Sequence, residues 1–366
     1  MPCGHIKWGV LCLRKYYIDN LRWADILLLF PYHTAMIYND WGENFYVRSA
    51  PVAAISGFVI ATYTWFMPLL FVLSGIGSYW ALQKRTPAVY LKERLHKLLL
   101  PLVLGVLLIV PVQTYYAERF HNGYTGSYLG QYRLFFSKFN DLTGYTGGFT
   151  MGHLWFLWHL FLISLLALPL MHAYLKGTRR LALQKLKLPA LLCLFLLPLA
   201  ATPILEFGGK SFGRFFVLFL LGFFVFSNDA IEELLEKCRW PLFLAFLLLT
   251  CAKLVSYFAY QLRDGIAVGI FDAAVMWVAI LAFLGMAKHS FNQNTPLFRR
   301  LSKASFGIYL LHQSCLVAVG YAVLRTVRGV YTQFFLILLG SAVLTFALYG
   351  LFWVLPANVL AKHWRR

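Results

Sequence analysis

The sequence predicts an all-α polytopic membrane protein with about ten transmembrane helices, on three observations. Hydrophobic residues fill 60% of the 366 positions and charged residues only 13%, and the mean hydropathy is +0.67. Soluble domains run about 45–50% apolar and about 25% charged, so this chain has too few charges to cover a water-facing surface. Runs of about 20 mostly apolar residues recur along it, each long enough to cross a hydrocarbon core of about 30 Å. Cations are spread unevenly over alternate loops, as the positive-inside rule requires of membrane chains. No strand alternation and no repeat period is visible.

The spans lie near 19–38, 57–82, 98–115, 151–175, 188–205, 211–228, 240–261, 266–287, 304–324 and 332–356, the fifth and sixth being short. They divide the chain into an N-terminal segment 1–18, a ten-helix membrane domain 19–356 and a basic tail 357–366. The apolar stretch Trp8 to Leu13 is too short for a secretory signal and is followed by Arg14 and Lys15, so the first span must direct insertion. With the N-terminus in the cytoplasm, 23 of the 33 lysines and arginines fall inside, 9 fall outside, and Lys253 lies within a span. That split supports the orientation. An even number of spans then returns the C-terminus to the cytoplasm. The net charge of +19 would suggest nucleic acid in a soluble protein, but no basic run sits on a soluble module, so no nucleic-acid partner is expected. None of the six cysteines forms a C-x-x-C pair, and neither a disulfide nor a metal site is expected.

A titratable group in hydrocarbon costs about 2.5–3.5 kcal/mol or more, so such groups usually face a polar interior. In the first span, Asp19 and Arg22 are three apart on one helical face, at the cytoplasmic end. They form an interfacial ion pair or part of a site. His33 follows Arg22 by eleven residues, about three turns, which places it on the same face about 16 Å deeper. It is therefore near the midplane, either hydrogen-bonded to a neighbouring helix or functional. His312 is eight residues into span 9, about 12 Å deep. His159 is eight residues into span 4, and His153 stands at the outer mouth of that span. Asp272 and Lys253 are embedded in spans 8 and 7 and are expected to pair with each other. Arg94 and Lys97, three apart before span 3, suit a phosphate group or simply anchor the span. The long loop 116–150, with Tyr115, Tyr116, Tyr124, Tyr128, Tyr132 and Tyr145, is read as an interfacial aromatic belt, though sugar stacking uses the same residues.

Five segments in order resemble the type-3 membrane acyltransferases, which O-acylate bacterial envelope glycans. They are Asp19-Asn-Leu-Arg22 with His33, Pro68-Leu-Leu-Phe-Val-Leu-Ser74-Gly75, Arg94-x-x-Lys97 with Pro101, His153-Leu-Trp155-Phe-Leu157, and Ser305-Phe-Gly-Ile-Tyr-Leu-Leu-His312. The resemblance spans about residues 16–356, and the last segment is most similar to the branch that succinylates periplasmic glucans. It implies a multi-pass protein of the bacterial cytoplasmic membrane, surrounded by lipid. Acetyl-CoA or succinyl-CoA is then a co-substrate, with no tightly bound cofactor, and an extracytoplasmic glycan hydroxyl is the acceptor. The family's basic box is usually Arg-x-x-Arg; Lys97 keeps the charge but loses the bidentate geometry. The extra esterase-like domain of some relatives is not expected here.

On the resemblance, His33, Arg22 and Asp19 form the catalytic set and Arg94 and Lys97 hold the CoA phosphates. His153, Trp155, His159, His312 and Ser74 then border the substrates. His33 acts as general base on the acceptor hydroxyl or first takes the acyl group itself. The competing reading is a transporter or flippase for glycans or lipid-linked sugars, since embedded His, Lys and Asp also line transport paths. Matched Gly/Pro-broken half-spans, the mark of inverted repeats, are not visible. A third reading is a structural partner in envelope assembly.

Overall fold

The first expected span is a single helix, α1 (Tyr16–Met36), of 21 residues containing Pro31. In this computed structural model, residues 15–41, 45–139, 147–177, 181, 183–207 and 209–354 are described. The basic tail 357–366, most of the N-terminal segment and Tyr145 lie outside them.

After α1 come α2 (Ala53–Thr62) and α3 (Phe66–Leu82), then α4 (Pro87–Arg94), a π-helical turn Leu95–Leu99, α5 (Leu100–Leu108), α6 (Val110–His121) and α7 (Tyr128–Ser137). α8 (Trp155–Lys176) leads to the short α9 (Leu188–Cys193) and α10 (Leu196–Ala200). A two-stranded hairpin follows, β1 (Glu206–Phe207) and β2 (Lys210–Ser211). The chain continues with α11 (Phe212–Phe224), α12 (Asp229–Lys237), α13 (Arg239–Phe258), α14 (Ile266–Ser290), α15 (Pro296–Thr326) and α16 (Val330–Tyr349).

Among the described residues, seven helical stretches are long and apolar enough to cross a membrane, or eight if a bent pair counts as one span. The all-α polytopic membrane class is therefore right, and the differences from the ten expected spans have local causes. α1 carries Asp19, Arg22 and Asp25 within three turns, so its composition falls outside the seven despite its length. The fifth expected span is an interrupted apolar stretch, Leu188–Ala200. Its 13 residues rise only about 20 Å, and Trp277 Nε1 ties it to α14 by donating to Leu191 O at 3.0 Å. The sixth is the bent pair, with α11 and α12 meeting at 101°. α12 is acidic and amphipathic, and Asn228 caps it by accepting from Ala230 N. Lys15 pairs at 2.6 Å with both Asp229 and Glu232, fastening α12 beside the start of α1.

Small residues set the closest crossing. A Cβ on Gly75 of α3 would lie 2.0 Å from Phe219 O, and one on Gly222 of α11 would lie 2.2 Å from Val72 O. The backbones of α3 and α11 touch, as small residues allow between membrane helices. That crossing holds together two helices that carry site residues.

Asp25 is 4% exposed, and neither carboxyl oxygen has a hydrogen-bond partner among the described residues. It borders an apolar cavity of about 310 Å³ with Leu28, Trp65, Leu69, Phe283 and Met286. An unpaired buried polar group costs about 1–3 kcal/mol. Asp25→Leu is therefore expected to raise the Tm of the detergent-solubilised protein. An unchanged or lower Tm would show that the carboxyl has a stabilising role.

Candidate functional site

His33 stands two residues beyond Pro31, whose missing N–H leaves a gap in the α1 hydrogen-bond ladder. Its ring faces a cavity of about 300 Å³, which His153, Trp155, Tyr309, His312 and Gln313 also line. The rings of His33 and His312 are 5.3 Å apart between centroids, and those of His153 and His312 are 5.0 Å apart. Four of the expected residues, His33, His153, Trp155 and His312, thus meet at one cavity although α1, the 3-10 turn Gly152–Leu154, α8 and α15 carry them.

A dense hydrogen-bond network positions two of these rings. His153 Nε2 donates to Leu310 O at 3.0 Å, and its Nδ1 accepts from Gln113 Nε2 at 3.1 Å. Gln113 also donates to Ser314 Oγ at 2.9 Å, and Ser314 Oγ donates to Ile109 O at 2.8 Å. Tyr309 OH donates to His153 O at 2.6 Å. Gly152, at φ +51°, makes the turn into α8 and leaves room for Tyr46 Oη, 2.9 Å from where a Cβ would stand. His312 Nδ1 donates to Tyr309 O at 2.7 Å. Among the described residues, no group of three or more His, Cys, Asp or Glu is placed to hold a metal ion.

The remaining expected residues lie elsewhere. Arg22 Nη1 reaches Asp19 Oδ1 at 3.2 Å, and its Nη2 donates to Leu73 O at 3.3 Å, passing beside Gly77. Arg94 Nη2 donates to Ser78 Oγ at 3.2 Å, and its guanidinium lies 4.4 Å from the centroid of the Tyr90 ring. Ser78 also accepts from Tyr90 OH at 3.0 Å and donates to Ser74 O at 2.8 Å, so its hydroxyl is fully used. Ser74 Oγ donates to Leu70 O within its own helix. Neither Arg22, Arg94 nor Ser74 lines the histidine cavity. Lys97 follows Arg94 within the π-turn Leu95–Leu99, where the helix is wider than in the regular α form. The Lys97 side chain is 68% exposed and pairs with Glu93 at 3.6 Å. His159 donates from Nδ1 to Trp155 O and packs on Trp155 and Phe215 just outside the cavity lining.

Reasoning from sequence missed several residues. Lys210 and Arg214, counted among the outer cations, line the histidine cavity. Lys210 stands in β2 and Arg214 in the first turn of α11, and no motif marked either. Ser78, Tyr90 and Gln113 carry hydrogen bonds that no motif announced. Lys253 and Asp272 pair at 2.7 Å as expected, and Tyr63 OH adds a 2.5 Å bond to the carboxylate. A second cavity of about 220 Å³ shares Trp41, Tyr63 and Asp272 with the first. The described tyrosines of the 116–150 loop pack on one another, as Tyr128 does on Tyr115 and Tyr132, away from the histidine cavity.

No curated protein and no solved structure matches the chain. A family model described as an acyltransferase domain matches residues 15–354, from the start of α1 to the last described residue. With nearly the whole chain covered and the histidine cavity inside the match, this membrane protein belongs to the acyltransferase 3 family.

Proposed function

We propose that the protein moves an acetyl or succinyl group from cytoplasmic acyl-CoA to a hydroxyl of an extracytoplasmic glycan, across a bacterial cytoplasmic membrane. The observation that carries this reading is the placing of His33. Its ring borders the cavity formed with His153 and His312, and it follows Arg22 by about 16 Å on the same helix. Arg22 and Arg94, both anchored near α3, offer cations for the CoA phosphates or for developing negative charge, with Asp19 positioning Arg22. The acceptor enters from the side of the β1–β2 hairpin, where Gly209 and Lys210 border the cavity, and Trp155 and Trp41 supply aromatic faces for a sugar ring. An imidazole of this cavity serves the transfer either as base or as the group that first takes the acyl.

Purified protein is expected to release free thiol from acetyl-CoA or succinyl-CoA and to leave an ester on an oligosaccharide. A transporter would release none. Arg94→Ala is expected to raise the KM for acyl-CoA by about 10–100-fold, the scale of a hydrogen bond to a charged group. Lys97→Ala is expected to change it by less than about threefold, as for an exposed ion pair. Steady-state kinetics on both variants checks this, and equal effects would return Lys97 to the phosphate site.

A further inference from the structure

We propose that His312, rather than His33, is the general base that takes the proton from the acceptor hydroxyl. The proposal rests on the acyl-transfer reading above and assigns a catalytic role within it. A carbonyl oxygen only accepts, so the 2.7 Å contact between His312 Nδ1 and Tyr309 O requires the proton on Nδ1. The lone pair therefore sits on Nε2, which is buried and has no hydrogen-bond partner among the described residues. His312 is 1% exposed and lines the cavity. One ring nitrogen tied to a fixed acceptor, with the other free toward the reacting group, is the arrangement that makes an imidazole a competent base.

The neighbouring rings lack that arrangement. Both nitrogens of His153 are committed, to Leu310 O and to Gln113. His33 Nδ1 is buried without a partner among the described residues, so nothing selects its tautomer. His159 stands outside the cavity lining. With ring centroids 5.3 Å apart, His312 and His33 border a common space. The hydroxyl meets His312 there, and the thioester carbonyl meets His33.

The step balances without a further reactant. As the hydroxyl oxygen bonds to the thioester carbonyl carbon, its proton passes to His312 Nε2. The C–S bond breaks with its electron pair on sulfur, and the His312 imidazolium protonates the thiolate. The products are an ester and a free thiol, and the ring ends neutral.

The test uses the full-length protein in detergent, with acetyl-CoA and succinyl-CoA as donors and a glucose oligomer as acceptor, reading thiol release and acylated oligosaccharide. His312→Ala is expected to lower kcat by about 10²–10⁴-fold, with the KM for acyl-CoA within about threefold of wild type. Added imidazoles of similar size are expected to restore turnover in proportion to their basicity, which a packing role would not produce. His312→Gln serves if the alanine variant does not fold, and a Tm near that of wild type certifies either protein. Loss of less than about tenfold in a folded variant, or rescue that follows the size of the added base and not its basicity, overturns the assignment. Absence of thiol release from the wild-type protein with both donors overturns the acyl-transfer reading itself and this assignment with it.

Discussion

His33→Ala is expected to lower acyl transfer by about 10²–10³-fold, the range typical of losing a polar group placed at the reacting carbonyl, while the protein still inserts and folds. Among the described residues the ring makes no hydrogen bond that holds neighbouring helices, and its packing contacts, with Tyr32, Phe45 and His312, are edge, stacking and tilted arrangements around a cavity. Its removal therefore enlarges an existing space and does not orphan a buried partner. Thiol release from acyl-CoA, normalised to protein recovered in membranes, measures the effect. Turnover near that of wild type would remove His33 from the mechanism and leave His312 as the imidazole to examine.

The largest effect on stability is expected at the α3–α11 crossing. Gly75→Val or Gly222→Val places a side chain where the facing backbone oxygen stands 2.0 or 2.2 Å from the Cβ. A flexible side chain could move aside, but a helical carbonyl cannot without separating the helices. Overpacking typically costs about 1–3 kcal/mol, and this contact is against backbone, so the upper end or beyond is expected. Tm in detergent and monodispersity on size exclusion report it. Gly269→Ala in α14 is the control: a Cβ there meets nothing within 4 Å, so little change is expected. Wild-type behaviour of both valine variants would show that the two helices are not packed this closely. Folded protein recovered from either variant is also expected to have lost activity, because α3 holds the Arg22 and Arg94 contacts while α11 carries Arg214 to the cavity.

The membrane class was legible because it depends on composition summed over long windows. The placing of His33 relative to Arg22 was also legible, since both lie on one helix and three turns return to the same face. Arg22 reaches Leu73 of α3, and the cavity at His33 includes Phe66 and Pro68 of that same helix, so the shared face survives the proline between them. The pairing of Lys253 with Asp272 followed from the cost of leaving either charge alone in hydrocarbon.

Other features resisted prediction for identifiable reasons. The π-turn Leu95–Leu99, which falls inside the basic box of Arg94, Lys97 and Pro101, leaves no mark in the sequence. The sixth span was expected as a short run over 211–228, whereas α11 ends at Phe224 and the chain turns by 101° into α12, which Lys15 holds. Ser78 could not be distinguished from Ser74, since both return a bond to their own helix and only Ser78 meets a neighbour.

Taken by itself, the sequence determined that the chain is helical and membrane-embedded, and how deep each polar residue lies along its own span. Those properties are local: they follow from apolar content and from a rise of about 1.5 Å per residue. The tertiary structure alone decided which residues meet. It brought His153 and His312 to His33, left His159 just outside, and added Lys210 and Arg214 to the lining. Helices apolar on nearly every face carry little signal of how they are rotated against one another. That rotation is set by distant contacts such as Gly75 on Phe219 and Gln113 on His153.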